Sequence, residues 1–264
     1  MVNLSGVLRE QENCWRIARA QRAAFLIDAD AYFTAFRHAV SRARDSVFIL
    51  GWDIDSRVQL NPGTGEPALT LLPCLNDLLA RRPTLRVFAV AWNFSVLFAL
   101  ERETLPAFRF AWNAHPRLSF HLDDAHPFGA SHHQKIVVID DAIAFCGGSD
   151  FCLDRWDTPE HRAENALRQT PEGRRLPARH DIMMAVDGEA ARAFGELARE
   201  RWFRAAGTQL KPPRVTNDPW PEDLHALRVP VRVGIARTMP AVKNNPEVRE
   251  AERLCLAMIR RANA

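Results

Sequence analysis

Of the 35 Lys and Arg residues in the chain only three are lysine, at positions 135, 211 and 243. Arginine serves wherever a generic cation is enough, so a lysine in a special place stands out. Lys135 lies in the run His133-Gln134-Lys135-Ile-Val-Val-Ile-Asp140, and Gly147-Gly148-Ser149-Asp150 follows soon after. The apolar residues from Ile136 read as a strand, whose period of two puts the His133 and Lys135 side chains on one face. An imidazole beside an ammonium suits attack on phosphorus. The imidazole is the nucleophile, and the cation holds the non-bridging oxygens that gain charge in the transition state.

Several neighbours admit plainer readings. His132 reads as loop polarity and His180 as a packing or loop residue. Trp52, Trp92, Trp112 and Trp156 read as core. His115, His121 and His126 alternate with Asp123 and Asp124 without a zinc-like spacing, so solvated polar surface is expected there and no metal. Arg155 with Asp157 is either a plain ion pair or a shaper of the substrate pocket.

The elements that must position these residues alternate in type. Leu26 to Phe33 reads as a short strand running into a helix, with Tyr32, Phe33, Phe36, Ala39, Val40 and Ala43 at helical spacing. The strand-like Ser46 to Asp53 comes next. A helix over Leu69 to Arg81 and a buried strand over Leu85 to Trp92 form a second unit. Then come a helix over Phe94 to Arg102, a strand Leu118 to Leu122, and a hairpin of Ile136–Ile139 with Ile143–Cys146 about Asp140-Asp141-Ala142. After a polar loop from Asp157 to Arg179, strand Ile182–Val186 and helix Glu189–Arg204 close the series. This order predicts an α/β fold, a mixed β-sheet with helices on both faces.

The organisation expected is an N-terminal helical segment over residues 1–24, a lobe over 25–207, a Pro-rich linker over 208–230 and a further piece over 231–264. That piece reads as a strand, Val231 to Ile235, and a helix opened by Asn245-Pro246-Glu247. Neither has an evident partner, so the start of a second similar lobe is the simplest reading. The chain has 264 residues, 47% hydrophobic and 25% charged, with a net charge of +3. That charge is too small to argue for nucleic acid by itself. Five scattered cysteines without a CxxC pair support neither a disulfide framework nor a zinc knuckle. The first two dozen residues lack the apolar core of a signal peptide, and the stretch Val87 to Leu100 is too short to span a bilayer. A cytoplasmic or peripheral membrane location is expected.

The run HHQKIVVIDDAIAFCGGSDFCLDRWDTPEHR (132–162) resembles the phospholipase D (HKD) superfamily, and the phospholipase D branch in particular. The resemblance extends from about Phe25 to the end. It implies a two-lobed enzyme with one motif per lobe, in which one histidine forms a phosphohistidine and the other protonates the leaving alcohol. It makes His133 the nucleophile, Lys135 the phosphate clamp and Asp140 an anchor of the strand end. Asp181, at the head of the strand after the polar loop, is expected behind the histidine, fixing its tautomer. Ser149, Asp150 and Arg155 fall on the substrate side. The family often has Ser and Asn where this chain has Gly148 and Asp150, so Asp150 is given a structural or outer role.

A second H-x-K-x-x-x-x-D is absent from the sequence. The reading is therefore a metal- and cofactor-independent phosphodiesterase that hydrolyses or transphosphatidylates phospholipids, present as the first half of a two-motif enzyme. Its site needs a second HKD lobe or a second copy of the chain. The alternatives are a single-motif, nuclease-like phosphodiesterase acting as a homodimer, and a catalytically inactive truncated lobe. No nucleic-acid partner is expected on the leading reading.

Overall fold

The computed structural model describes residues 6–93, 110, 113–127, 129–214, 217–227, 230–242 and 246–262. Strands β1 (Arg16–Ala20) and β2 (Ala23–Ile27) lead into helix α1 (Asp28–Val40) and β3 (Ser46–Gly51). Helix α2 (Leu71–Arg81) precedes β4 (Arg86–Trp92) and β5 (Leu118–Asp123). The hairpin β6 (Ile136–Ile139) and β7 (Ile143–Gly147) is followed by an irregular stretch, β8 (Ile182–Asp187) and α3 (Gly188–Ala206). The chain continues through β9 (Val231–Ile235), β10 (Thr238–Met239), β11 (Val248–Arg249) and α4 (Glu250–Ala262).

Seven strands form one mixed sheet in the order β2-β8-β7-β6-β3-β4-β5. Strands β3, β4 and β5 are parallel, and the remaining neighbours are antiparallel. The parallel part needs crossovers, and α2 supplies the first of them. Helix α1 turns Tyr32, Phe33, Phe36, Ala39 and Val40 inward, and α2 adds Leu71, Leu75, Leu78 and Leu79, which together cover one face of the sheet. Helix α3 covers the other face with Ala190, Phe194, Leu197 and Trp202. Strand β6 is therefore buried on both sides. Val137 and Ile139 join the core under α1 and α2, and Ile136 and Val138 join the core under α3. The hairpin turns on Asp140 and Asp141, at φ 53° and 51°, a left-handed backbone that Asp tolerates better than most residues.

The fold class is the one the residue pattern predicts, but several elements differ. The described part of residues 1–24 is not helical. Arg16–Ala20 is a strand that pairs with Val231–Ile235, so the strand after the Pro-rich stretch is not an orphan. Ala18 and Ala20 are buried with Arg19 exposed between them, the period of two of a strand with one covered face. The Pro-rich stretch is a strap laid on the lobe: Trp220 is in the core, Arg42 donates to its carbonyl at 2.6 Å, and Leu227 N–H bonds Ala23 O at 2.7 Å. The last helix begins at Glu250 rather than at Pro246, because Val248–Arg249 is drawn into a ladder with Thr238–Met239 and Arg237 grips the Glu250 carboxylate at 2.8 Å. The helix expected over Phe94–Arg102, Trp112 and the cap Asn245 lie outside the described residues.

Candidate active site

The segment before β6 holds the residues whose types could do chemistry. Lys135 is buried, with its Nζ 3.0 Å from Asp150 Oδ2 and 3.4 Å from the His133 carbonyl oxygen. His133 is exposed, and its ring meets Trp52 edge-on at a centroid distance of 6.1 Å. Partial desolvation, followed by the nearby positive charges of Lys135 and Arg155, holds the His133 imidazole below the ordinary histidine range. It is thus neutral, with a lone pair available, at pH 7. Asp150 is enclosed, accepting from the Trp52 N–H at 2.9 Å as well as facing Lys135. Burial raises its pKa, against the pull of the Lys135 charge.

Asp140 faces away from this group. Its carboxylate accepts from the backbone N–H groups of Arg44, Asp45 and Ser46 at 2.7, 2.8 and 2.8 Å, tying the hairpin turn to the start of β3. Asp181 is not hydrogen-bonded to the His133 ring among the described residues. Its Oδ1 accepts from Ile182 N–H at 2.8 Å, and it fills the space beside Gly148, where an added Cβ would come within 1.9 Å of that oxygen. Gly148 therefore stands where the family often has serine because the Asp181 carboxylate occupies the side-chain volume. Ser149 is buried, and its Oγ has no hydrogen-bond partner among the described residues. Arg155 lies 3.7 Å from Asp154, not beside Asp157. It lines a cavity of about 360 Å³ with Trp52, Asp53, Asp154 and Arg174.

A model of the phospholipase D family matches residues 117–218, the stretch that holds all of these residues except Trp52, Asp53 and the backbone partners of Asp140. Over this stretch the chain resembles the phospholipase D (HKD) superfamily. It is 26% identical over 211 residues to phospholipase D C of Dictyostelium discoideum, a match covering 68% of this chain and 12% of that protein. It is 28% identical over 144 residues to phospholipase D1 of Homo sapiens, covering 53% of this chain and 13% of that one. The chain thus spans only a small part of the length of these relatives. A crystal structure of a phospholipase D family member, Nuc from Salmonella typhimurium, is similar at a TM-score of 0.45 and 12% identity, covering 71% of this chain and 99% of that one.

Around this phospholipase D motif the structure gathers residues that the sequence reading left apart. Trp52 and Trp92 are not core. They are half-buried and stacked at 5.6 Å, forming a wall next to His133, and Trp92 Nε1 donates to His126 at 2.9 Å. His180 is more than a loop residue: its Nδ1 is 2.9 Å from Asp28 Oδ1, while His161 Nε2 is 3.2 Å from Asp28 Oδ2 and its Nδ1 is 3.3 Å from Asp157. Donor atoms of Asp28, His161 and His180 all lie within 4.8 Å of one another, so this trio is where a cation could be held among the described residues. Asp28 and His161 have φ of 64° and 43°, an uncommon backbone for non-glycine residues that the ion-pair network must hold in place. Spacing could not have revealed this, since 152 positions separate Asp28 from His180.

Asp123 and His132 are likewise not surface groups. Asp123 is 0% exposed and His132 3%. Asp123 ends β5 at the same end of the sheet at which β6 begins, two strands away, and helix α3 packs on both. Among the described residues, no helix is long and apolar enough to cross a membrane.

Proposed function

We propose that this chain is one HKD lobe of a phospholipase D-type enzyme that cleaves the phosphodiester of phospholipids, with water or an alcohol as acceptor. His133 attacks phosphorus through its neutral imidazole and becomes the phosphohistidine, and the bond to the leaving alcohol breaks as the new P–N bond forms. Lys135 neutralises charge on the non-bridging oxygens. Water or an alcohol then attacks the phosphohistidine and returns the imidazole. The observation that carries this reading is the pairing of an exposed, neutral imidazole with a buried ammonium fixed at 3.0 Å by Asp150. The buried cation cannot swing away, and the open ring can reach a substrate.

The head-group alcohol of a phospholipid leaves as an alkoxide unless an acid protonates it. The sequence holds one such motif, so the second imidazole comes from another HKD unit. Exposed Phe25 and Ile27 on β2 and Ile182 on β8 give the sheet's β2 edge an uncovered apolar patch for such a unit. The test uses two substrates. The chain alone should turn over bis(p-nitrophenyl) phosphate, whose phenolate departs without an acid, and should leave acid-labile, base-stable phosphate on His133. Phosphatidylcholine should need the second unit. Label appearing elsewhere than His133, or undiminished turnover by His133→Asn, would overturn the assignment.

A further inference from the structure

We propose that His132, seated on the buried Asp123–Arg201 ion pair, is a positioning residue that sets the direction of His133. The proposal rests on the reading of His133 as nucleophile only for its consequence on turnover, and its structural content stands apart.

Residues 131–135 precede β6 and lie outside its ladder. Of this segment's backbone groups, the Lys135 carbonyl accepts from Gly147 N–H at 3.3 Å and the His133 carbonyl from the Lys135 ammonium at 3.4 Å. The direction of the His133 ring is therefore set by the side chains on either side of it. Lys135 descends toward Asp150 on the α1 side of the sheet. His132, one residue before His133, descends on the opposite side toward α3.

There it meets a built seat. His132 Nδ1 lies 3.7 Å from Asp123 Oδ2, a packing contact longer than a hydrogen bond, and the two side chains are 1% and 0% exposed. Arg201 of α3 forms an ion pair with the same Asp123 oxygen. Asp123 is itself fixed, since its other oxygen accepts from Ala125 N–H at 2.9 Å and its carbonyl from Asn93 N–H at 2.9 Å. Burial and the Arg201 charge keep the His132 ring neutral, so it is no rival acid, and its enclosure keeps it from substrate as a rival nucleophile.

Such a seat is an expensive way to fill a core, because apolar residues of similar volume commonly match or exceed the stability of a buried ion pair. A charged seat does give one register to the residue bound on it, and a misplacement of 1 Å at a nucleophile costs on the order of 10²-fold in rate. Arg199, one helical position pair earlier, holds Asp141 at 2.8 Å beyond the other end of β6. Helix α3 thus grips the strand on both sides of the reacting residues.

The experiment is a pH titration of the histidine-labelled chain by NMR, without substrate, together with kinetics on bis(p-nitrophenyl) phosphate. In the unmodified chain the His132 ring should stay unprotonated down to about pH 4 while His133 titrates below its ordinary value. In Asp123→Asn, His133 should titrate closer to the ordinary histidine value as its spacing to Lys135 relaxes. Its kcat should fall about 10- to 100-fold with KM within about twofold. His132→Gln, which keeps a polar group over Asp123, should retain more activity than His132→Leu.

An unmoved His133 titration in folded Asp123→Asn overturns the proposal. So does a His132 that titrates near its ordinary value in the unmodified chain, a measurement that needs no variant to fold. A moved His133 titration without turnover in any form supports the seat and counts against the nucleophile instead.

Discussion

The two ends of β6 carry ionisable residues in opposite states. Beyond its far end, Asp140 accepts three backbone N–H groups and Asp141 is held by Arg199, so every charge there is answered by a donor. Before its near end, the His133 ring has no hydrogen bond among the described residues, and Lys135 faces one carboxylate, Asp150. A carboxylate saturated by backbone donors has no capacity left for a substrate, whereas an exposed neutral imidazole does. The aspartate of the motif is thus part of the frame, and its histidine and lysine are the working parts on the function we propose.

Removing a working part should separate activity from stability. His133→Asn should lower turnover of the activated diester by about 10⁴-fold, roughly 5 kcal/mol of transition-state stabilisation. Its melting temperature should be nearly unchanged, because an exposed side chain without a hydrogen bond contributes within about 0.5 kcal/mol. Kinetics and calorimetry on the same sample check both halves, and a matching loss of stability would break the contrast between the two ends.

Lys135→Met should sharpen the contrast by doing two things at once. It leaves Asp150 buried without its cation, at a cost of about 3–5 kcal/mol. It also removes one of the charges that depress the His133 pKa, so that pKa should rise. Attack needs the neutral ring, so the acid limb of any residual activity should move to higher pH. A limb that stays in place or moves down would separate Lys135 from His133.

How much of this was legible beforehand depended on range. Strand β6, α1 and α2 were readable because a local period shows in consecutive residues, and His133 and Lys135 because they are two apart on a strand. The anchoring role of Asp140 was readable only through family resemblance, since its three donors lie 94 to 96 positions away. The seat of His132 and the Asp28–His161–His180 group were not readable, because tertiary packing joins residues that look like solvated loops. Asp181 was misplaced for a related reason. Gly148 reads as a missing serine in the sequence, and only the packed structure reveals that a carboxylate fills its space.

Damage to the frame should show the reverse pattern. Asp140→Ala removes three charge-assisted hydrogen bonds and puts alanine at φ 53°. We expect a loss of about 2–3 kcal/mol in urea unfolding. Turnover per folded molecule should stay within about twofold. Asp140→Asn, which keeps a carbonyl acceptor and tolerates the left-handed backbone, should lose less. A turnover loss in Asp140→Asn as large as that of His133→Asn would mean that the far end also takes part in the chemistry.

The smallest effect is carried by pH. The His132 pKa is lowered to about 3, chiefly by burial and then by Arg201, while in the unfolded chain it is near 6.5. The unfolded state therefore binds a proton that the folded state refuses, and stability must fall as pH drops through that window. The slope is at most about 1.4 kcal/mol per pH unit. Asp150 and Asp141, whose pKa values burial raises, act in the opposite sense, because protonation relieves them in the folded state. The net slope of the chain mixes these terms. The difference between the unmodified chain and His132→Gln isolates the histidine: the variant should lose less stability between about pH 6.5 and pH 4, and parallel curves would place His132 in water rather than on its seat.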